Sequence, residues 1–147
     1  MFPWKKKKKK EEELPAIDVS LDEVRQAVKD RANSLPLGVS LRTYINDDHS
    51  INFDLLKPNF KGIPNQTFYM SKETFEIFED QVHAQDIDRV QKAVDQFVSE
   101  TGEYPVIDGP DRQISYFRIK EYLHEQPKTP LYLDAIDNMV TYRRPNS

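Results

Sequence analysis

The sequence predicts an α+β fold: a single compact domain with about four helices and short antiparallel strands or hairpins. Apolar residues recur at helical spacing in some segments and alternate at strand spacing in others. The predicted helices and strands do not follow strict βαβ alternation, which favours an antiparallel arrangement. The 147 residues amount to one domain, and the 8 Phe and 7 Tyr can supply its core.

Four helices are predicted. The first begins at Ser20, which forms the capping-box pattern with Glu23, and Pro36 ends it. A second helix is predicted to start at Ser71 and a third to run from Asp86 to Gly102. These two could also form one helix with a break near residues 83–85. The fourth is predicted over residues 114–124, where aromatic and aliphatic side chains recur at helical spacing.

The strands are predicted from alternation and from turn residues between the alternating segments. A hairpin is expected over residues 39–53, with the Asn-Asp-Asp-His-Ser sequence as its turn. A short aromatic strand is expected at residues 67–70 and an extended segment at 104–107. A second hairpin is expected over residues 131–142.

The composition excludes several classes of protein. The chain has no cysteine, which excludes disulfide scaffolds, thiolate nucleophiles and iron–sulfur clusters, and which fits a reducing cytoplasm. No apolar run approaches the ~18–20 residues needed to span a bilayer. Neither a dinucleotide-binding nor a P-loop glycine pattern is present. We therefore expect no cofactor.

The charge is distributed unevenly. The whole chain carries −4, but it contains six consecutive lysines followed by three glutamates near its start. Without those nine residues the net charge of residues 14–147 is −7. Nucleic acid is not expected as a partner, because binding phosphates requires a basic surface. Residues 1–15 are predicted to be a disordered tail and residues 16–145 the folded domain.

The tail is one candidate interaction site. Two aromatic side chains beside the lysines could contact an anionic membrane surface, or another anion, through the interface-seeking rings and the positive charges. The residues concerned are Phe2, Trp4, Lys5, Lys6, Lys7, Lys8, Lys9 and Lys10. The alternative is a solvated tail, and the three glutamates that follow weaken the electrostatic attraction. The expected location is the cytoplasm or the inner face of the membrane.

Tyrosines near the C-terminus form a second candidate site. A tyrosine has an apolar ring and a polar tip, which suits a partly exposed contact with a protein partner. The predicted partner surface comprises Tyr116, Tyr122, Tyr132 and Tyr142. The alternative is ordinary core packing.

No catalytic residue or metal ligand is predicted. Asp47, Asp48 and His49 are adjacent and would point in different directions, so a hairpin turn explains them better than a metal site. The chain's other histidines, His83 and His124, belong to no recognised motif. An enzyme with a site outside known motifs remains an alternative. It would require a pocket in which one of these histidines lies within hydrogen-bond reach of a carboxylate.

Several segments resemble a domain-of-unknown-function family of small uncharacterised proteins from spore-forming Gram-positive bacteria. They include YMSKETF at 69–75, TGEYPVI at 101–107 and ISYF at 114–117, together with residues 17–19, 122–123, 131–133 and 139–141. The resemblance implies a bacterial intracellular protein and brings no activity with it. The function expected from the sequence is therefore that of a small, non-catalytic binding or accessory protein.

Overall fold

Two α-helices and six two-residue strands form the regular structure of residues 15–60 and 62–145, which are the residues that the computed structural model describes. The helices are α1 (Leu21–Ala32) and α2 (Gln81–Thr101). The strands are β1 (Ala16–Ile17), β2 (Ile63–Pro64), β3 (Tyr69–Met70), β4 (Ile77–Phe78), β5 (Tyr132–Leu133) and β6 (Val140–Thr141). Two 3₁₀ helices, Leu41–Tyr44 and Phe53–Asn59, lie between α1 and β2. The prediction of about four helices is therefore wrong.

The strands pair in three separate two-stranded sheets. β3 pairs with β4 and β5 with β6 in antiparallel fashion, whereas β1 and β2 are parallel, contrary to the prediction. Gly62 allows the close approach of β1 and β2, because a Cβ there would lie 2.7 Å from Cγ2 of Ile17. The backbone bonds from Ile63 N to Pro15 O and from Asn65 N to Ile17 O then complete the pairing.

Helix α1 begins where its capping box predicts. The Ser20 hydroxyl accepts from the Glu23 amide at 3.1 Å, and the Glu23 carboxylate accepts from the Ser20 amide at 3.1 Å. The two bonds satisfy backbone donors that the first helical turn leaves free. The helix ends at Ala32, four residues before Pro36.

One long helix, α2, replaces the second and third predicted helices. Asp80 caps it by accepting from the His83 amide, and Gly102 ends it in the left-handed conformation with φ of 76°. Ser71 begins a turn instead of a helix, and Phe75 follows in the left-handed region with φ of 62°. Since a non-glycine residue in that region interrupts a helix, the chain turns back into β4.

The fourth predicted helix is absent. Residues 116–122 form successive turns, with bonds such as Tyr122 N to Ile119 O that span three residues and not four. The segment starts in a β-bridge between Val106 and Ile114, and the Ile114 amide donates to Leu131. The apolar spacing nevertheless identified the inward side chains, since Ile119 is fully buried.

The structure differs from the first predicted hairpin and contains the second. In the first, residues 41–44 form a 3₁₀ helix capped by Ser40, and only a single bridge, Ile45 to Ile51, closes the turn that follows. In the second, β5 and β6 pair within the predicted segment, with Tyr132 opposite Thr141.

The β3–β4 hairpin separates two clusters of buried side chains. Tyr69 and Phe78 are opposite each other and contact the cluster formed with α2, β5 and β6. Met70 and Ile77 are the next pair and contact the cluster formed with α1 and the 3₁₀ helices. Successive side chains of a strand point to opposite faces, so this short hairpin contributes to both cores.

Candidate functional site

A polar cavity of about 410 Å³ lies between α2 and the loops around residues 42–49 and 72–73. We call it the basic pocket. It is lined by Arg42, His49, Lys72, Glu73, Gln85, Asp88, Arg89 and Lys92. Four of these side chains are basic and two are acidic, although the folded part of the chain is acidic overall.

Asp88 organises the floor of the basic pocket. Its Oδ1 accepts from the Ser71 hydroxyl at 2.6 Å and from the Glu73 amide at 3.0 Å. Its Oδ2 accepts from the Lys72 amide at 2.8 Å and lies 2.8 Å from Nε2 of His49. A carboxylate offers about four lone-pair positions, so these partners occupy both oxygens of Asp88.

His49 reaches Asp88 from the turn that precedes β-bridge residue Ile51. Its backbone has φ of 74°, a conformation that costs a non-glycine residue roughly 1–2 kcal/mol. Because an ionised carboxylate only accepts, Nε2 carries the proton and donates to Asp88. The other ring nitrogen, Nδ1, is buried and has no hydrogen-bond partner among the described residues.

Two of the four basic side chains are neutralised by carboxylates. Arg42 Nη2 lies 2.7 Å from the Glu73 carboxylate and also donates to the Lys72 carbonyl. Arg89 contacts the carboxylates of Asp86 and Glu125.

The two lysines of the basic pocket have no such neutralisation. Lys72 Nζ donates to the carbonyl oxygen of Asp47 at 3.3 Å, and neither Lys72 nor Lys92 pairs with a carboxylate of the described residues. Two ammonium groups are thus available to an anion.

Comparison with known proteins gives one match. Residues 14–142 match a family described as "Protein of unknown function (DUF3939)". The chain belongs to the DUF3939 family. No curated protein and no solved structure matches it. The match covers α1, α2, all six strands and every residue that lines the basic pocket.

The tail site predicted for this DUF3939 protein lies outside the described residues. It comprises Phe2, Trp4 and the lysines at positions 5–10. Among the described residues, no helix has both the length and the apolar character that crossing a bilayer requires.

The four predicted partner-surface tyrosines lie in different environments. Tyr132 is buried, with 5% of its surface exposed. Tyr142 packs its ring 5.0 Å from that of Phe78, and its hydroxyl accepts from Arg25 at 2.6 Å. Tyr132 and Tyr142 both line one cavity.

The other two tyrosines point their hydroxyls at acceptors. Tyr116 donates to the Thr129 carbonyl at 2.8 Å, and burial raises the pKa of Tyr116. Tyr122 donates to the Glu100 carboxylate, and this bond raises the pKa of Tyr122. The four side chains remain a predicted partner surface.

The Asp47-Asp48-His49 triplet is a turn in which the three residues have separate partners. Asp48 accepts from the Ser50 hydroxyl and amide, and these bonds lower the pKa of Asp48. The Asp47 carbonyl accepts from Lys72, while His49 faces Asp88. Within residues 15–60 and 62–145, no three histidine or acidic side chains are grouped as metal ligands.

The sequence interpretation missed most of the basic pocket. Asp88, Ser71, Arg42, Lys72 and Lys92 come from three separate segments, and no short motif joins them. One signal was present in the sequence. Gln85, Asp88 and Lys92 follow helical spacing on α2 and so form one polar stripe, although a solvated helix face looks the same.

Proposed function

We propose that this protein is a non-catalytic binding protein that holds a small anionic ligand in the basic pocket. The observation that supports the proposal most directly is the pair of lysines, Lys72 and Lys92, that face the cavity without a carboxylate partner among the described residues. Charge-assisted hydrogen bonds from ammonium groups to an anion are stronger than neutral ones. The cavity volume also lies within the ~300–1,000 Å³ range of small-molecule sites.

The chemistry of His49 and Asp88 supports binding over catalysis. The pair meets the geometric requirement for an enzyme site, since a histidine lies 2.8 Å from a carboxylate within a pocket. A general base needs its second nitrogen within reach of the substrate. Here Nδ1 of His49 is enclosed, and Asp88 already accepts four hydrogen bonds. The pair fixes the loop that carries Lys72.

His83 supports an enzyme hypothesis less than the His49–Asp88 pair does. His83 Nδ1 lies 2.6 Å from the Asp80 carboxylate, three residues earlier. Asp80 also caps α2 through the His83 amide, so the contact belongs to the local capping arrangement. No hydroxyl of a described residue is shown bonded to His83, which leaves the pair without a nucleophile.

The proposed setting is the cytoplasm of a bacterium. The cysteine-free composition supports a reducing compartment. In that setting anionic metabolites are the natural candidates for a site with unpaired ammonium groups.

A titration with inorganic phosphate tests the proposal. Amide and side-chain NMR signals of the full chain would be followed at low salt, with Lys92→Gln as the pocket variant and Lys120→Gln as its matched control. Lys120 is exposed, lies outside the basic pocket and stacks over Phe117. We expect shifts at Lys72, Glu73 and Lys92 that K92Q weakens and K120Q leaves unchanged. Shifts spread over the whole surface, or none at all, would contradict the proposal.

A second function is favoured by the tail sequence. We propose that Phe2, Trp4 and the lysines at positions 5–10 bind an anionic membrane surface, since each lysine near such a surface contributes about 1 kcal/mol. Flotation with vesicles containing phosphatidylserine tests it. The full chain should float, and a variant with glutamine at positions 5–10 should not. Equal flotation of the two chains would refute the membrane proposal without affecting the pocket.

A further inference from the structure

We propose that the ligand of the basic pocket is a small phosphorylated polyol, such as a sugar phosphate, and not a nucleotide. This inference rests on the proposed function and specifies its ligand class. It is drawn from three features of the lining: the side-chain types that are missing from it, the two ammonium groups without a carboxylate partner among the described residues, and the acceptors in the same cavity.

The lining lacks the groups that recognise a nucleobase. Of the eight described residues that line the basic pocket, none is Phe, Tyr, Trp or an aliphatic residue. Binding proteins commonly stack bases on aromatic side chains, with about 1–3 kcal/mol lost per base when the ring is removed. The only planar ring present is that of His49, whose side chain is just 14% exposed. A ligand of this cavity must therefore be recognised through charge and hydrogen bonds.

The two lysine ammonium groups are the proposed binding groups for a phosphate. Lys72 lies on the loop after β3 and Lys92 lies on α2, and both line the cavity. Three donors on each ammonium group match the oxygens of a phosphate monoester.

The same cavity also contains hydrogen-bond acceptors, which a bare anion does not need. Glu73 contributes a carboxylate, and Gln85 contributes an amide that forms no hydrogen bond with any described residue. A carboxylate accepts from hydroxyl groups and repels a second phosphate, while the Gln85 amide can both accept from and donate to a hydroxyl. This mixture of donors and acceptors fits a molecule with one charged end and several hydroxyls.

Along α2 an amide and an ammonium group are separated by two helical turns. Gln85 and Lys92 are seven residues apart on the same face of α2, about 10 Å along the helix axis. A phosphate bound near Lys92 would leave the hydroxyl-bearing part of the ligand beside Gln85.

Isothermal titration of the full chain tests the ligand class. The probes are glucose 6-phosphate, adenosine diphosphate, inorganic phosphate and glucose, compared at equal ionic strength. We expect glucose 6-phosphate to bind about tenfold more tightly than adenosine diphosphate or inorganic phosphate, and glucose to bind most weakly. Adenosine diphosphate binding as tightly as glucose 6-phosphate would overturn this inference while the proposed function stands. Binding of none of the phosphate probes would overturn the proposed function itself.

A variant at Glu73 tests the acceptor role. Glu73→Met removes both acceptor oxygens of this side chain and releases Arg42 for phosphate. We therefore expect the preference for glucose 6-phosphate over inorganic phosphate to fall by about threefold or more. Glu79→Met, at an exposed position outside the pocket, should leave the preference unchanged. An unchanged preference in E73M would overturn the assignment of Glu73 as an acceptor of ligand hydroxyls.

Discussion

His49 Nε2 lies 2.8 Å from Asp88 Oδ2 and so joins the turn before Ile51 to the first half of α2. The same carboxylate binds the hydroxyl or amide of three consecutive residues after β3, from Ser71 to Glu73. One buried side chain therefore fixes two loops relative to a helix. One of those loops carries Lys72, which lines the basic pocket.

Asp88→Asn is expected to destabilise the fold by about 2–4 kcal/mol. Asparagine retains one acceptor oxygen, but its amide nitrogen meets donors where Asp88 had an acceptor, and leaving buried donors unsatisfied is costly. Urea unfolding measures the change. Asp95→Asn is the control, because Asp95 is exposed on the same helix and accepts only from Gln91. A loss of less than 1 kcal/mol in D88N would show that the loops do not depend on Asp88.

Helix ends can be predicted from the sequence where the residues that form them bond to near neighbours in the chain. Ser20 and Gly102 marked helix ends correctly because their partners lie within four residues. Ser71 accepts from the Thr74 amide at 2.9 Å, as a helix cap would, but no helix follows because Phe75 adopts a φ of 62°. The Ser71 hydroxyl also donates to Asp88, seventeen residues later. Such a partner follows from the tertiary fold and leaves no trace in the spacing of nearby residues.

The same distinction explains the absent fourth helix. Tyr116, Ile119 and Leu123 all pack on the larger cluster, so their spacing correctly indicated a buried side. Spacing of three and four residues is shared by successive turns and by an α-helix. The bridge between Val106 and Ile114 determines the backbone conformation at the start of this segment. The periodicity of apolar residues does not predict such a pairing.

Gly62→Ala is expected to destabilise the protein by about 1–3 kcal/mol through overpacking. The new methyl group would lie 2.7 Å from Cγ2 of Ile17 and would also press on the Pro15 carbonyl. Because the backbone is one of the two obstacles, a side-chain rotation cannot relieve the overlap. Hydrogen exchange should show faster exchange of the Ile63 and Asn65 amides, which donate across this strand pair. Unchanged protection of both amides would contradict the prediction.

Gln91→Met is expected to cost about 1–3 kcal/mol, because it removes the acceptor of a buried amide. Gln91 Oε1 accepts from the Val140 amide at 2.8 Å and thereby connects α2 to β6. Methionine has a similar length, so packing is largely kept while the Val140 donor is left unpaired. The measurements are urea unfolding and hydrogen exchange at Val140. Asp95→Ala provides the control, since it breaks the other hydrogen bond of Gln91 and keeps this one.

Glu76→Gln is expected to stabilise the protein at neutral pH and to leave its stability unchanged in acid. Burial raises the pKa of Glu76, despite the hydrogen bond from the Thr141 hydroxyl and the positive charge of Arg143, which both lower it. Its Oε1 is buried and has no hydrogen-bond partner among the described residues. The charged form is thus less favourable in the folded state than in the unfolded chain.

The sign of the pH dependence follows from that raised pKa. Below the usual pKa of glutamate the side chain is protonated in both states, and wild type and E76Q should unfold at the same urea concentration. As the pH rises through the raised value, the unfolded chain has already lost the proton, so wild type loses stability relative to the variant. Urea unfolding at several pH values measures the difference, with exposed Glu79→Gln as the control for losing one negative charge. A wild type that is more stable than E76Q at neutral pH would show that the Thr141 and Arg143 contacts outweigh the burial of this carboxylate.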